Sequence, residues 1–267
     1  MNIMWCSSRP ALICLKRQLP QCTPPQPGSL ILPAFRINFR TVSTMSEKMQ
    51  HDTILYGGGV SSCSWRVRAA MAIKNIEYKH VILSTKAPDE ATLKKLQEIN
   101  PLRQIPALYI DGNTLTQSVA IMEYLEETRP EPAIYPKHPL NRAQVRQVVE
   151  LINSGIQPLQ NPTVAQRYSS DEAKQKEWQV YWIEKGLTAL EKILEKTSGK
   201  YCVGDEVTAA DCALAPQIFA ARRFGADINK FPLAVGIYNN LLEVEAFRQS
   251  HPFNQADAPD DKRGQIV

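Results

Sequence analysis

The sequence predicts a small α/β domain followed by an all-helical domain, and three observations carry that prediction. Short strand-like segments interleave with helix-period segments between residues 53 and 128. A proline-dense stretch, residues 130–139, then interrupts the pattern as an interdomain linker. Beyond it every apolar stripe has the helical period.

Residues 53–56 read as the first strand, and Val67, Ala70, Met71 and Ile73 set the apolar face of the helix that follows. Gly57, Gly58 and Gly59 let the backbone turn sharply between the two, so Ser61, Ser62, Cys63 and Ser64 fall at the start of that helix. Residues 77–83 alternate as a second strand, which makes a right-handed β-α-β unit with parallel strands. A helix over residues 91–99 stops at Asn100-Pro101, and strands over 107–110 and 114–116 flank the turn Asp111-Gly112-Asn113. The next helix begins at Ser118, buries Ile121, Met122 and Leu125, and ends near Arg129-Pro130. The order β-α-β-α-β-β-α is that of the thioredoxin fold.

In the second half, Val145, Val148, Val149, Ile152 and Ile156 make one buried face, and Ile183, Leu187, Leu190 and Leu194 another. Thr208-Ala209-Ala210-Asp211 opens a third helix as an acidic variant of the capping box, with Leu214, Ala215, Ile218 and Phe219 inward. The expected organisation is a leader over 1–50, a thioredoxin-like domain over 51–132, an all-helical domain over 138–255 and a tail over 256–267.

The 267 residues are enough for an ample core, and the formal net charge is +4. That charge is not a property of the folded part. Residues 1–46 hold Arg9, Lys16, Arg17, Arg36 and Arg40 and no acid, leaving 26 basic against 27 acidic residues elsewhere. Without a basic excess, nucleic acid is not expected as a partner. No apolar run reaches the roughly 20 residues a membrane span needs, so no membrane partner is expected either. The six cysteines lack paired metal-ligand spacing, so no metal site is expected, and a reducing compartment fits their scatter. The acid-free, Arg-bearing, proline-rich leader reads either as a mitochondrial transit segment or as an extension upstream of a start at Met45 or Met49. Localisation is accordingly expected to be cytoplasmic, with a mitochondrial alternative through the leader.

The chemistry concentrates at residues 61–64. A helix N-terminus presents unpaired amides and a positive dipole end, which favours an anion such as a thiolate. Serines there also cap helices routinely, and the residues alone leave both readings open.

Taken together, Ile105-Pro106 before a strand, Gln117-Ser118 at a helix start and a helical second half resemble the glutathione transferases. The run Ser61-Ser62-Cys63-Ser64-Trp65-Arg66, followed by Val67-Arg68, is similar to the signature of their zeta class, the maleylacetoacetate isomerases. Further likenesses are Asn100-Pro101, Gln117-Ser118-Val119-Ala120-Ile121, residues 123–130, Ile156-Gln157-Pro158-Leu159-Gln160-Asn161 and Tyr201-Cys202-Val203-Gly204-Asp205. The likeness spans residues 52 to about 255.

The resemblance implies the glutathione transferase fold, glutathione as cofactor, a small-molecule substrate and a homodimer. It implies a cis Pro106 that presents the backbone of Ile105 to the tripeptide as a short added strand. Gln117 and Ser118 would hold the γ-glutamyl carboxylate. Residues 61–66 would line the glutathione site from the first domain, and Gln157, Asn161 and Thr163 from the second. The implied reaction converts maleylacetoacetate to fumarylacetoacetate in tyrosine and phenylalanine catabolism, with transfer to small electrophiles such as α-halo acids. Thiolate addition makes the double bond rotatable, and elimination returns glutathione. A free thiol near pKa 8.5 is mostly protonated at neutral pH, so a hydroxyl must stabilise the anion. Ser61 is the expected donor, with Ser62 and Cys63 assisting and Arg223 meeting the acidic substrate.

Two departures accompany the likeness. Gly59-Val60 stands where the zeta class usually carries an aromatic residue and an Arg, and residues 84–92 lack its Gly-Gly-Gln-Gln-like stretch. Two other functions therefore stay open: a thiol reductase that uses Cys63 through a mixed disulfide, and a non-catalytic glutathione-binding module.

Overall fold

The structure, a computed structural model, describes residues 53–83 and 89–266. The expected leader and residues 84–88 of the atypical stretch lie outside them. Four strands form one sheet in the order β2-β1-β3-β4: β1 Ile54–Gly57, β2 Lys79–Ile82, β3 Ala107–Ile110 and β4 Asn113–Thr116. The parallel pair β1–β2 confirms the crossover read from the sequence, and β1–β3 and β3–β4 are antiparallel. Ile110 pairs with Asn113, so the hairpin turn is the two-residue Asp111-Gly112 alone, with φ of 52° and 76°, and Asn113 belongs to the strand. Positive φ at both positions matches the right-handed twist of the flanking strands.

Helices α1 Ser62–Ile73, α2 Glu90–Ile99 and α3 Ser118–Thr128 complete the first half. Of these, α1 decides where the site lies. Its residues from Ser64 through Met71 are all buried, so it is covered on every side. It packs on α3, and on α8 Ala209–Phe224 and α10 Glu245–Ser250 of the helical half. The N-terminus of α1 therefore opens at the seam between the two halves.

The linker is pinned by charge. Lys74 Nζ, fully buried, meets Glu126 Oε2 at 2.8 Å and donates to the carbonyls of Arg129 and Pro132. The Glu126 carboxylate also accepts from the amides of Ile134 and Tyr135. A buried ion pair is costly to desolvate, and this one is compensated by four further hydrogen bonds to the linker backbone.

In the helical half, α4 Pro139–Glu150 runs into a π-helical turn, Leu151–Ile156, before the short α5 Gln157–Gln160 and α6 Pro162–Tyr168. Pro158 has no amide to continue the ladder, and a Cβ on Gly186 of the long α7, Glu172–Thr197, would run into Ile156 Cγ1. The expected faces are buried throughout: Val145, Val148, Val149, Ile152 and Ile156, and Ile183, Leu187, Leu190 and Leu194. The acidic capping box is present, with Asp211 accepting from the Thr208 amide and hydroxyl and from the Cys202 amide. Helix α9, Pro232–Leu242, precedes α10.

Residues 256–266 are not a free tail. Ala258 is buried, the Gly264 amide donates to the Phe253 carbonyl, and Asp257 reaches back to Gly59. This segment leaves a cluster at the seam in which His251 packs edge-on against Trp65, Phe219 and Phe253. Burial, with the Arg68 charge adding to it, holds His251 down to about pKa 4.

Two outcomes follow from this packing. Glu126→Ala strands the Lys74 charge and should cost roughly 3 to 5 kcal/mol in denaturant unfolding; an unchanged midpoint contradicts the clamp. For His251 the folded pKa lies below the free value of 6.5, so its contribution is complete above that pH and is lost as pH falls toward about 4. His251→Asn, which keeps an acceptor for the Phe253 amide, should flatten the fall in melting temperature across that window, and an unaltered slope refutes the assignment.

Candidate active site

Ser61 caps α1. Its backbone is extended, with φ −71° and ψ 118°, and its Oγ accepts from the Ser64 amide at 3.3 Å. Accepting that bond leaves the hydroxyl proton free to donate elsewhere, so capping and anion stabilisation are compatible roles for one group. Ser62 and Cys63 occupy the first turn, where amides have no intrahelical carbonyl to meet. Ser61, Ser62 and Cys63 are all part-exposed. Ser64 is not: it is buried beneath the loop, its Oγ accepting from the Gly58 amide, and a Cβ on Gly57 would press on it at 2.9 Å. Ser64, expected among the residues lining the glutathione site, is placed under the loop, where it supports the Gly57-Gly58 turn.

The loop before Ser61 is held from inside. Arg68, two helical turns along α1, is fully buried and donates from Nη1 to the Gly58 carbonyl at 3.0 Å, from Nη2 to the Gly59 carbonyl at 2.7 Å and from Nε to the Ser250 carbonyl at 3.0 Å. Desolvation lowers its pKa to about 10, against the opposing pull of Tyr78 and Asp257, so it stays charged at neutral pH.

A second group of residues adjoins this loop. The Ile105-Pro106 bond is cis, as the resemblance implied. A Cβ on Gly58 would lie 3.3 Å from Ile105 Cδ1 and 3.9 Å from Ser61 Cβ, so both expected residues border Gly58. Gln117 sits before α3 at φ 71° with an exposed side chain that makes no cap, so it is not an ordinary N-cap. A non-glycine residue in that region is strained, a condition that clusters at ligand sites. Ser118 is buried, and its Oγ accepts from Arg66 Nη1 at 3.2 Å; the same nitrogen donates to Asn153 Oδ1 at 2.8 Å.

Arg66 is wholly buried, yet its Nε and Nη2 have no hydrogen-bond partner among the described residues. Orphaned guanidinium donors beside a buried hydroxyl fit an anionic group such as a carboxylate. Residues present thus suit the expected tripeptide at two points: its γ-glutamyl carboxylate near Arg66 and Ser118, and its central cysteinyl sulfur near Ser61.

Trp65, expected among the residues lining the same site, lies in the core. It is 0% exposed, its indole N–H donating to Ser250 Oγ at 2.9 Å, so it is core between α1 and the C-terminal segment. Asn161 caps α6 and accepts from the amide and hydroxyl of Thr163, and no hydrogen bond among the described residues ties Gln157, Asn161 or Thr163 to the first-domain set. Asn153, one turn before Gln157, is the helical-half residue that bonds Arg66. Arg223 does reach the loop: its Nη1 donates to the Val60 carbonyl at 3.3 Å, and both side chains are exposed there. Asn153, Arg68 and Asp257 were missed in the sequence. Arg68 stands inside the recognised run as an inward charge at the helical period, and that was the available signal.

Among the described residues no group of His, Cys, Asp and Glu could hold a metal ion, and no helix is long and apolar enough to cross a membrane.

Comparison with known proteins agrees with this geometry. Residues 60–128 match the family model for the glutathione S-transferase N-terminal domain, and residues 159–247 that for the C-terminal domain. A mouse maleylacetoacetate isomerase is 48% identical over 211 residues, covering 79% of this chain and 97% of the relative. A probable maleylacetoacetate isomerase from Drosophila melanogaster is 50% identical, covering 77% and 90%. Among solved structures, the maleylacetoacetate isomerase of Anaeromyxobacter dehalogenans with glutathione bound in the active site is 37% identical with a TM-score of 0.70, covering 78% of this chain and 98% of that one. A bacterial maleyl pyruvate isomerase described as a zeta-class glutathione S-transferase gives a TM-score of 0.73 at 32% identity, covering 77% and 100%.

Proposed function

The chain belongs to the glutathione S-transferase family, in its zeta class, and from that premise we propose that it converts maleylacetoacetate to fumarylacetoacetate in tyrosine and phenylalanine catabolism with glutathione as cofactor. The observation that carries this reading is Ser61 Oγ, held at the start of α1 with its proton unengaged, on a loop whose Gly58 also borders Ile105. The same reading takes the protein to be a cytoplasmic homodimer, or a mitochondrial one should the leader act in targeting, and extends its activity to small electrophiles such as α-halo acids.

When bound, glutathione supplies a thiolate whose reversible addition turns the conjugated double bond into a rotatable single bond. The Ser61 hydroxyl donates to that sulfur, and the first-turn amides of Ser62 and Cys63 add the positive end of the helix. Arg66, through Ser118 and its two free donors, fixes the γ-glutamyl carboxylate, with Gln117 beside it. Ile105 pairs with the cysteinyl backbone. Arg223 lies at the mouth beside Val60, where it meets the carboxylates of the substrate. Gln157, Asn161 and Thr163 belong to the helical side of the site on family likeness alone.

Removing the donor hydroxyl should lower turnover far more than removing the neighbouring thiol. Ser61→Ala is expected to lose roughly 10² to 10³ in kcat, the usual effect of one lost anion donor, while Cys63→Ala loses much less. Equal losses, or a larger loss for Cys63→Ala, would transfer the function to the thiol-reductase reading. Val60, exposed beside Arg223, stands where the class usually has a cation. Val60→Arg should lower KM for the acidic substrate at low salt and less so at high salt, because an exposed charge pair contributes roughly 0.2 to 1 kcal/mol and is screened. Steady-state kinetics at saturating glutathione decide it, and an unmoved KM would leave the substrate charge to Arg223 alone.

A further inference from the structure

We propose that Asp257, in the segment after the last α-helix, is a positioning residue for the thiolate-stabilising loop. The inference rests on the reading of Ser61 as donor. Asp257 Oδ2 accepts from the Gly59 amide at 2.8 Å, across 198 residues of chain. Gly59 lies two residues before Ser61, and the two peptide groups that flank it are held by Arg68 through the Gly58 and Gly59 carbonyls. The loop is thus gripped by a cation on its carbonyls and an anion on its amide. With the Ser61 amide turned onto the Gly58 carbonyl at 3.2 Å, this leaves little freedom in the chain that carries the Ser61 hydroxyl.

The fit is specific to a glycine. A Cβ on Gly59 would run into Asp257 Oδ1, so the missing side chain is what admits the carboxylate. The C-terminal strap that carries Asp257 is itself anchored: the Ser250 carbonyl and hydroxyl accept from Arg68 and Trp65, and Arg263 donates to the Gln255 and Ala258 carbonyls on either side of Asp257. Its carboxylate is a charge-assisted acceptor, stronger than a neutral one and directional. Loosening it should displace the hydroxyl without touching the residues that hold the glutathione backbone.

The readout is the pH at which enzyme-bound glutathione ionises, followed by thiolate ultraviolet absorption on the full chain, together with glutathione affinity by calorimetry and kcat. Asp257→Ala should raise that pH by about one unit, a tenfold loss of thiolate stabilisation. Its kcat should fall roughly 10- to 100-fold, as misplacement of a reacting group does, with glutathione affinity held. Asp257→Asn keeps an acceptor oxygen and should restore kcat to within about threefold. Gly59→Ala, with the strap intact, should shift the ionisation in the same direction as Asp257→Ala, and it decides the matter should the latter fail to fold. A shift in Ser61→Ala with none in Asp257→Ala and Gly59→Ala overturns the inference alone. No shift in Ser61→Ala overturns the serine reading and the inference with it.

Discussion

The site depends on one buried cation. Arg68 spends all three kinds of guanidinium nitrogen on backbone carbonyls, two in the loop before Ser61 and one at Ser250 on the far side of the seam. An isolated charge in that position would be prohibitive, and three carbonyl acceptors with the charge of Asp257 nearby make it tolerable. In return, a glycine-rich turn that has no side chains of its own becomes a fixed platform. The helical half and the sheet half meet on the same guanidinium, so the location of the first turn of α1 is a property of both.

From that platform the chemistry is short-range. The first turn of α1 offers a hydroxyl that caps and still has a proton to give, amides without carbonyl partners and a positive dipole end. One and a half turns along, the buried Arg66 holds Ser118 and Asn153 through Nη1 and keeps two donors without a partner among the described residues. In the proposed reaction, one helix therefore sets the distance between the sulfur at Ser61 and the carboxylate at Arg66. Asn153 occupies the π turn, a helical irregularity that recurs at functional sites because it re-aims side chains off the regular ladder.

Much of this was legible in the chain. The alternation of residues 53–56, the Asp111-Gly112 turn and the helical stripes lie within single elements, and each element followed them because local pattern and burial agree. The placement of Ser61 at a helix start was legible for the same reason. Trp65 and Ser64 were not separable from their neighbours by motif, since position in a signature does not say which side of a helix is covered. Tertiary packing buries them: the glycine loop covers Ser64, and Phe219 of α8 and Ser250 of α10 cover Trp65. Asp257 was illegible because its partner is 198 residues away and a single carboxylate in a terminal segment has no period. The π turn escaped because Val145 to Ile156 keep a helical spacing whether or not one extra residue is accommodated.

In the proposed reaction glutathione bound at Ser61 is a catalyst that is regenerated in every turnover. The most direct test is to supply the purified full chain with maleylacetoacetate and a sub-stoichiometric amount of glutathione, then follow the trans product and the free thiol together. Complete conversion to fumarylacetoacetate, far faster than with glutathione alone, and full recovery of the thiol are expected. Conversion no faster than with glutathione alone, or loss of one thiol for each substrate consumed, would contradict the proposed reaction.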